Sequence, residues 1–383
     1  MNAVPDFVTS LSELVSLPSV SSTRAQRDMS NEAVIDRLAG WFETLGFECR
    51  KMPVPEYPGK FNLLASKGRG NRGLLLAGHT DTVPYTEDNW QSDPLKLTER
   101  DGRFHGLGST DMKGFFAVVL QALSGMDLEQ LQQPVMILAT ADEESSMSGA
   151  RALSRSDVAN AVVAIVGEPT GLRPVYLHKG VMMESLQLVG RSGHSSNPAL
   201  GNSASEAMHE AMSELMILRQ EWQQRWRHKG FEIDTPTLNF GCLHGGDNPN
   251  RICERCELQF DIRLMPGMNV DALREDILQQ LRPMAQRRQI ELSLTPLMPG
   301  IQAFESDEQS PFLKVAEQLT GYNREAVNYA TEAPFLQAMG VNTLVMGPGD
   351  IKRAHQPDES LDADQIKPAI ELIQKLVARY CLS

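Results

Sequence analysis

Three acidic residues stand in a row directly after an apolar run of the sequence. Asp142, Glu143 and Glu144 follow "VMILATA", where each carboxylate resists losing water and repels its neighbours. Divalent cations can neutralise acids that would otherwise repel one another. The sequence therefore indicates a metal site beside this apolar run.

Four more segments carry side chains that bind metals in proteins. They are "LLLAGHTDTVP" with His79 and Asp81, "GLGSTDMKGFF" with Asp111, "AVVAIVGEPT" with Glu168, and "MGPGDIKRAHQPDE" with His355. An imidazole ligand needs its second ring nitrogen held, and we expect the carboxylate of Asp81, two residues along an extended segment, to hold that of His79. One histidine or acid alone would indicate little, but their combination at strand ends indicates a metal centre.

Short apolar runs predict the elements that position these residues. "FNLLAS", "GLLLAG", "VMILAT" and "AVVAIVGE" each end in polar or turn residues, which is typical of buried strands in an α/β sheet. Ligands of such sheets bind at the carboxyl ends of the strands. The acids and His79 fall at these ends, so we expect them to meet at one edge of the sheet.

A different order of elements is predicted between residues 183 and 294. Strand, helix, strand, strand, helix and strand follow one another there, which is the order of a ferredoxin-like unit. The second helix starts near Asn269, and Pro283 is expected to end it. The prediction is a first catalytic segment at 1–182, an inserted α+β domain at 183–294 and a second catalytic segment at 295–383.

The composition argues against several classes of partner. The 383 residues carry a formal net charge of −13, whereas proteins that bind nucleic acid or anionic membranes present clustered Lys and Arg. No run approaches the roughly 20 apolar residues of a membrane span, and the first residues do not form a secretory signal. Five scattered cysteines argue against a disulfide framework. We expect a cytoplasmic protein with no nucleic-acid partner and no membrane partner.

Six segments together resemble the successive motifs of the dizinc aminoacylase and carboxypeptidase family. They are "GHTDTVP", "GLGSTDMKG", "ATADEESSMSGA", "GEPT", "SGHSS" and "AHQPDE", and they span most of the chain in order. The resemblance implies a zinc-peptidase-like catalytic domain, with a central mixed sheet flanked by helices, and an inserted domain that acts in dimerisation and as a lid. It also implies two divalent metal ions per subunit, Zn²⁺ by preference with Co²⁺ as a substitute, in a homodimer joined through the inserted domain.

The resemblance divides the metal ligands between two ions. It implies that His79 and Glu168 bind one ion, that Glu144 and His355 bind the other, and that Asp111 bridges the two. It further implies a cis peptide bond directly after Asp111.

Catalytic and substrate-binding residues are implied in the same way. Glu143 is the implied general acid and base for a nucleophilic water between the metals, and Asp81 belongs to the same catalytic group. His194 is implied to hydrogen-bond the oxyanion, and we expect it to serve the partner subunit's site. The implied substrate-binding residues are Arg263, which would hold the α-carboxylate, and also Asn250 and Thr331. Asp142 is left without a catalytic role, and we expect it to make a structural hydrogen bond.

Four further segments resemble the family members that act on N2-acetyl-L-ornithine. They are "HKG", "HGGDNPNRIC", "NYATEAPF" and "LVMGPGDIKRAHQPDESL". The implied reaction gives L-ornithine and acetate, a step of arginine biosynthesis. Alternatives within the family are a desuccinylase of N-succinyl-diaminopimelate, a general aminoacylase and a dipeptidase or tripeptidase. A non-catalytic ligand-binding relative is the alternative of another class, but such a chain would be expected to lack a ligand or the base.

Overall fold

The computed structural model describes residues 4–382 and divides the chain into two compact units. The first unit comprises Met1–Tyr176, Ser306–Glu325 and Thr331–Ser383, and the second comprises Leu177–Glu305 and Ala326–Ala330. The first unit is therefore discontinuous in sequence.

The second unit extends beyond the predicted insert of 183–294 at both ends. Gly180 already pairs with Leu264 in an antiparallel ladder, and Val181 pairs with Ile301. The hydrophobic pattern does not reveal these backbone pairings, which add residues on both sides of the predicted domain.

The α-helices of residues 4–382 are α1 (Phe7–Ser16), α2 (Glu32–Thr44), α3 (Lys113–Ser124), α4 (Ser148–Arg151), α5 (Ala204–Arg225), α6 (Val270–Arg288), α7 (Pro311–Thr320), α8 (Ala333–Ala338) and α9 (Ile366–Cys381). The β-strands are β1 (Glu48–Pro53), β2 (Phe61–Lys67), β3 (Gly73–His79), β4 (Thr98–Arg100), β5 (Arg103–His105), β6 (Val135–Thr140), β7 (Ala161–Pro169), β8 (Val175–His178), β9 (Gly180–Val189), β10 (Thr237–Gly245), β11 (Arg255–Leu264), β12 (Glu291–Pro296), β13 (Phe304–Glu305), β14 (Glu325–Val327), β15 (Asn342–Gly347) and β16 (Ser360–Asp362). Between residues 4 and 382, none of the helices combines the length and the apolar character that a membrane span requires.

A mixed sheet forms the centre of the first unit, with the strand order β1-β2-β6-β3-β7-β15-β8. The four strands β6, β3, β7 and β15 run parallel, whereas the pairs β1–β2, β2–β6 and β15–β8 are antiparallel. β3 and β6 are buried at every position, as strands with both faces covered must be. The four strands predicted from apolar runs are confirmed as β2, β3, β6 and β7.

Two further features of the first unit position its site. α3 is buried along most of its length and contacts α1 and α9. A small sheet of order β16-β5-β4 pairs Ser360 with His105. This pairing joins the segment that leads into Asp111 to the segment that follows His355.

The second unit consists of the antiparallel sheet β10-β11-β9-β12 with α5 and α6 packed against it. Its chain order β9-α5-β10-β11-α6-β12 confirms the predicted strand and helix order. Burial alternates along β11, where Cys256, Leu258 and Phe260 face the core. Ser203 is the N-cap of α5, and its hydroxyl accepts the N–H of Glu206 at 3.3 Å, as expected for an N-cap serine.

The prediction that Pro283 ends the second of these helices is wrong, because α6 continues to Arg288. Met284 and Ala285 are buried in the turns after the proline. Their packing outweighs the one backbone hydrogen bond that a proline removes, since helices in proteins are stabilised mainly by tertiary contacts.

Candidate metal centre

The carboxyl ends of three parallel strands carry the first candidate ligands. His79 is the last residue of β3, and its register partner is Thr140, the last residue of β6. Glu168 lies near the end of β7. The expectation that these residues meet at one edge of the sheet is confirmed.

Two glycines allow the segment around Asp111 to approach these strand ends. A Cβ on Gly78 would lie 2.3 Å from Cε of Met112, and a Cβ on Gly167 would lie 2.2 Å from the ring of Phe115. Neither contact is possible for a side chain without displacement of its neighbour. Glycine at these two positions lets the start of α3 pack onto β3 and β7.

Asp111 lies between both candidate histidines. Its Oδ1 is 3.0 Å from Nε2 of His79, and its Oδ2 is 3.3 Å from Nε2 of His355. The same Nε2 of His355 is 2.9 Å from Oε1 of Glu144. His79, Asp111 and Glu144 offer ligand atoms that all lie within 4.8 Å of one another. The peptide bond that follows Asp111 is cis, which confirms the prediction.

Glu168 tests whether this group fits a cation. The residue is 4% exposed, and its Oε1 is buried without a hydrogen-bond partner among residues 4–382. Burial and the charge of Asp111 raise the pKa of Glu168 well above its usual value. Since buried polar atoms normally have partners, a free carboxylate oxygen beside other acids fits a cation ligand. Two imidazoles with three carboxylates are a donor set that divalent zinc accepts.

The neighbouring carboxylates raise the pKa of both imidazoles, which favours their protonated form. Hydrogen bonds to Asp111 and Glu144 raise the pKa of His355 to about 10. Burial opposes protonation of His79, but its hydrogen bond with Asp111 and the charge of Asp81 raise its pKa well above the ordinary value. Burial would raise the pKa of Asp111, yet the hydrogen bonds from both histidines lower it overall. Metal binding would release these protons, because ligands bind in their deprotonated forms.

The partner predicted for the second ring nitrogen of His79 is only partly right. Nδ1 of His79 is 3.0 Å from the backbone carbonyl oxygen of Asp81 and 3.7 Å from the carboxylate of Asp81. That carboxylate accepts the backbone N–H groups of Glu143 at 3.2 Å and Glu144 at 3.1 Å. The backbone carbonyl of Asp81 therefore orients His79. Its carboxylate holds the turn that carries Glu143 and Glu144.

Asp142 makes the structural hydrogen bonds that were expected of it. Its carboxylate accepts the hydroxyls of Ser21 and Ser148, both at 3.0 Å, and lies 2.6 Å from Nζ of the buried Lys60. Its backbone has φ +58°, and its carbonyl accepts the N–H of Met147 at 2.6 Å. These contacts fix the turn that carries the next two acids.

Glu143 differs from its neighbours because its carboxylate has no hydrogen-bond or ion-pair partner among residues 4–382. Its side chain is partly exposed. Burial, and next the charge of Glu168, raise the pKa of Glu143 well above its usual value. A carboxylate with a raised pKa and free oxygen atoms can accept a proton and donate it again.

The second unit carries three of the predicted residues. His194 is exposed, and its Nδ1 is 2.8 Å from the hydroxyl of Ser196. The N–H of Ser195 donates to the carbonyl of Asn250 at 3.1 Å, so His194 and Asn250 lie on adjacent segments. Arg263 is half-buried in β11 with Nε 3.2 Å from Asp261.

Thr331 lies two residues before the start of α8. The residue is fully buried, and its hydroxyl accepts the N–H of Ala333 at 3.1 Å. Thr331 thus supports the start of α8, and its contact with a substrate stays a prediction.

Two buried glutamates near the site were missed by the sequence reasoning. Glu332 accepts the hydroxyl of Thr140 at 2.8 Å, its Oε1 has no hydrogen-bond partner within residues 4–382, and burial raises its pKa to about 7. Burial and the charge of Asp111 raise the pKa of Glu359 to about 8. Their place within "NYATEAPF" and "AHQPDE" was the available signal.

A family model describes most of the chain. Residues 75–379 match the model of "Peptidase family M20/M25/M40". The match includes every candidate metal ligand named above.

Relatives and solved structures agree with this match over the full length. The chain is 48% identical over 381 residues to "Acetylornithine deacetylase" of Pasteurella multocida, covering 100% of both chains. It is 47% identical over 380 residues to the protein of the same name from Salmonella arizonae, covering 99% of each. A crystal structure of an M20 family metallo-carboxypeptidase from Sulfolobus solfataricus superposes with a TM-score of 0.74 at 18% identity, covering 98% of this chain and 99% of that one.

Proposed function

The chain belongs to peptidase family M20/M25/M40, and we propose that it is a metal-dependent amide hydrolase that removes the acetyl group from N2-acetyl-L-ornithine. The products are L-ornithine and acetate. The reaction class is supported by the ligand atoms of His79, Asp111 and Glu144, which lie within 4.8 Å of one another. Relatives named acetylornithine deacetylase, at 47–48% identity over the whole chain, support this substrate. We propose that the reaction belongs to arginine biosynthesis and takes place in the cytoplasm.

Five side chains of the first unit would hold two divalent ions. His79 and Glu168 would hold one, Glu144 and His355 the other, and Asp111 both. Zn²⁺ suits these nitrogen and oxygen donors, and Co²⁺ can replace it. When bound, the ions would polarise the amide carbonyl and lower the pKa of water towards ~7.

Glu143 is the proton carrier of the reaction. Its carboxylate accepts a proton from the attacking water while the new C–O bond forms, and it donates that proton to the amine nitrogen as the C–N bond breaks. The free oxygen atoms and the raised pKa of Glu143 support this role. Asp81 orients the turn through its bonds to the N–H groups of Glu143 and Glu144.

Residues of the second unit would bind the substrate and stabilise the negative charge of the oxyanion that forms during the reaction. Arg263 would pair with the α-carboxylate through two hydrogen bonds, and His194 would donate to the oxyanion, with Asn250 on the adjacent segment. Because His194 is exposed in its own chain, we assign it to the site of the partner subunit in a homodimer formed through the inserted domain.

Two substitutions separate proton transfer from metal binding. Glu143→Gln should retain both ions and lose most of kcat, because an amide cannot accept the proton. Glu144→Gln should lose one ion, since it removes a charged ligand beside His355. Elemental analysis after dialysis and steady-state kinetics measure both effects. Metal loss in Glu143→Gln but not in Glu144→Gln would reverse the two assignments.

The substrate is tested by comparing four amides with the zinc-loaded protein. N2-acetyl-L-ornithine should give the highest kcat/KM, above N-succinyl-diaminopimelate, N-acetylmethionine and a dipeptide. A higher value for any of the other three would assign the protein to that activity of the family instead.

A further inference from the structure

Glu359 is a buried side chain whose carboxylate, within residues 4–382, accepts hydrogen bonds from backbone N–H groups only. The residue is 2% exposed. Its Oε1 accepts the N–H groups of Thr110 and Asp111, both at 2.9 Å, and its Oε2 accepts that of Gly108 at 3.1 Å. One side chain thus fixes three peptide groups in the segment that ends at Asp111.

The position of Glu359 in the chain connects this segment to the second histidine. Glu359 follows His355 by four residues and directly precedes β16, which pairs with β5. The N–H of Gly106 also donates to the backbone carbonyl of Glu359 at 3.1 Å. The segments of Asp111 and His355 therefore diverge from one small sheet, and the Glu359 carboxylate joins them next to the point where they separate.

We propose that Glu359 is a positioning residue that holds the Asp111 carboxylate and the His355 ring in register for metal binding. This inference rests on the proposed function, in which Asp111 bridges two ions and His355 binds one of them. Glu359 touches neither substrate nor ion and acts through the three N–H groups. Outer carboxylates that orient ligands change metal affinity by ~10–100-fold when removed.

The test uses the full chain loaded with Co²⁺, whose visible spectrum reports ligand geometry. Glu359→Ala removes all three acceptors and should weaken Co²⁺ binding by about 10-fold or more, alter the visible spectrum, and lower kcat with little change in KM. Glu359→Gln can keep one oxygen towards Thr110 and Asp111 but turns an amide N–H₂ towards the N–H of Gly108. Its loss should therefore be smaller than that of Glu359→Ala.

Glu184→Gln is the matched control for the loss of a buried carboxylate. Glu184 is fully buried and pairs with Arg274 at 2.7 Å within the second unit. This variant should lower thermal stability while leaving Co²⁺ affinity and spectrum as in the wild type.

The outcomes distinguish a positioning role of Glu359 from a general effect on protein stability. They also distinguish a failure of this proposal from a failure of the proposed function. If either folded Glu359 variant binds two equivalents of Co²⁺ with wild-type affinity and an unchanged spectrum, the proposal is wrong, even where Tm falls. If Glu359→Ala does not fold, Glu359→Gln decides the question by the same readouts. Wild-type protein that binds Co²⁺ but does not hydrolyse N2-acetyl-L-ornithine would overturn the proposed substrate and leave this metal-binding test valid.

Discussion

Asp142→Ala is predicted to destabilise the first unit and to disturb the turn that carries Glu143 and Glu144. Asp142 is 3% exposed, as is Lys60, and 2.6 Å separate the carboxylate oxygen from Nζ. Alanine removes this ion pair. The substitution therefore leaves an ammonium group buried with fewer partners.

The expected loss in the free energy of unfolding depends on the acidic partner that Lys60 keeps. Removing one partner of a buried ion pair costs ~3–5 kcal/mol, because the other charge is left uncompensated. Asp28 still lies 2.8 Å from Nζ of Lys60, but its own side chain is 32% exposed, which places the expected loss near the lower limit, about 3 kcal/mol. Asp142→Asn keeps an acceptor oxygen and should cost less, roughly 1–2 kcal/mol.

Urea unfolding with a double-mutant cycle measures this loss. Lys60→Met in the Asp142→Ala background removes the ammonium charge that has lost its partner. The coupling energy between the two substitutions should therefore be about 2 kcal/mol. Asp157→Ala is the control, since Asp157 also binds an arginine and a serine but its partner Arg50 is 55% exposed. Its cost should stay below about 1 kcal/mol.

Two results would refute the reasoning. If the free-energy losses of the two single variants add up to that of the double variant within ~0.5 kcal/mol, Lys60 and Asp142 do not stabilise each other. Full metal content and wild-type kcat in a folded Asp142→Ala protein would show that these contacts do not position Glu143 and Glu144.

Three further predictions concern the ligands, the subunits and pH. Asp111→Ala should lower the content of both ions after dialysis, whereas His355→Ala should mainly lower one; two equivalents retained in Asp111→Ala, by elemental analysis, would contradict a bridge. Inactive Glu143→Ala and His194→Ala chains, unfolded and refolded together, should regain activity, because one site of the mixed dimer then has both residues intact; mixed dimers without activity would exclude a crossing His194. Burial lowers the pKa of His178 from 6.5 to about 4, so the unfolded chain binds its proton first as the pH falls, and stability should decrease from about pH 6.5 down to 4. His178→Asn should make the urea midpoint less dependent on pH over this window. An unchanged pH dependence would contradict the assignment.

The strands of the site could be predicted because their signal is local. Each apolar run ends in polar residues, so the chain itself marks where β3, β6 and β7 end, and the candidate metal ligands lie at or just after those ends. The end of α6 could not be predicted by the same means. Proline ends an isolated helix, but the buried Met284 and Ala285 stabilise α6 through contacts that are remote in sequence.

The roles of Glu332 and Glu359 could not be predicted from spacing either. Glu359 binds N–H groups about 250 positions earlier in the chain, and Glu332 binds the hydroxyl of Thr140 from 192 positions away. A glutamate in a polar segment carries no sign of burial. Only the fold brings each one against its donors.

The consecutive acids 142–144 show how a fold gives different surroundings to chemically similar neighbours. Asp142 has φ +58°, and its carboxylate faces Lys60 and two serines, which satisfy its charge. The two N–H groups that follow it bind Asp81, and this leaves the Glu144 side chain directed at His355. Glu143 alone has no such partner. Because a general base must exchange protons with substrate and water, the acid that the fold leaves unpaired is the one able to do so.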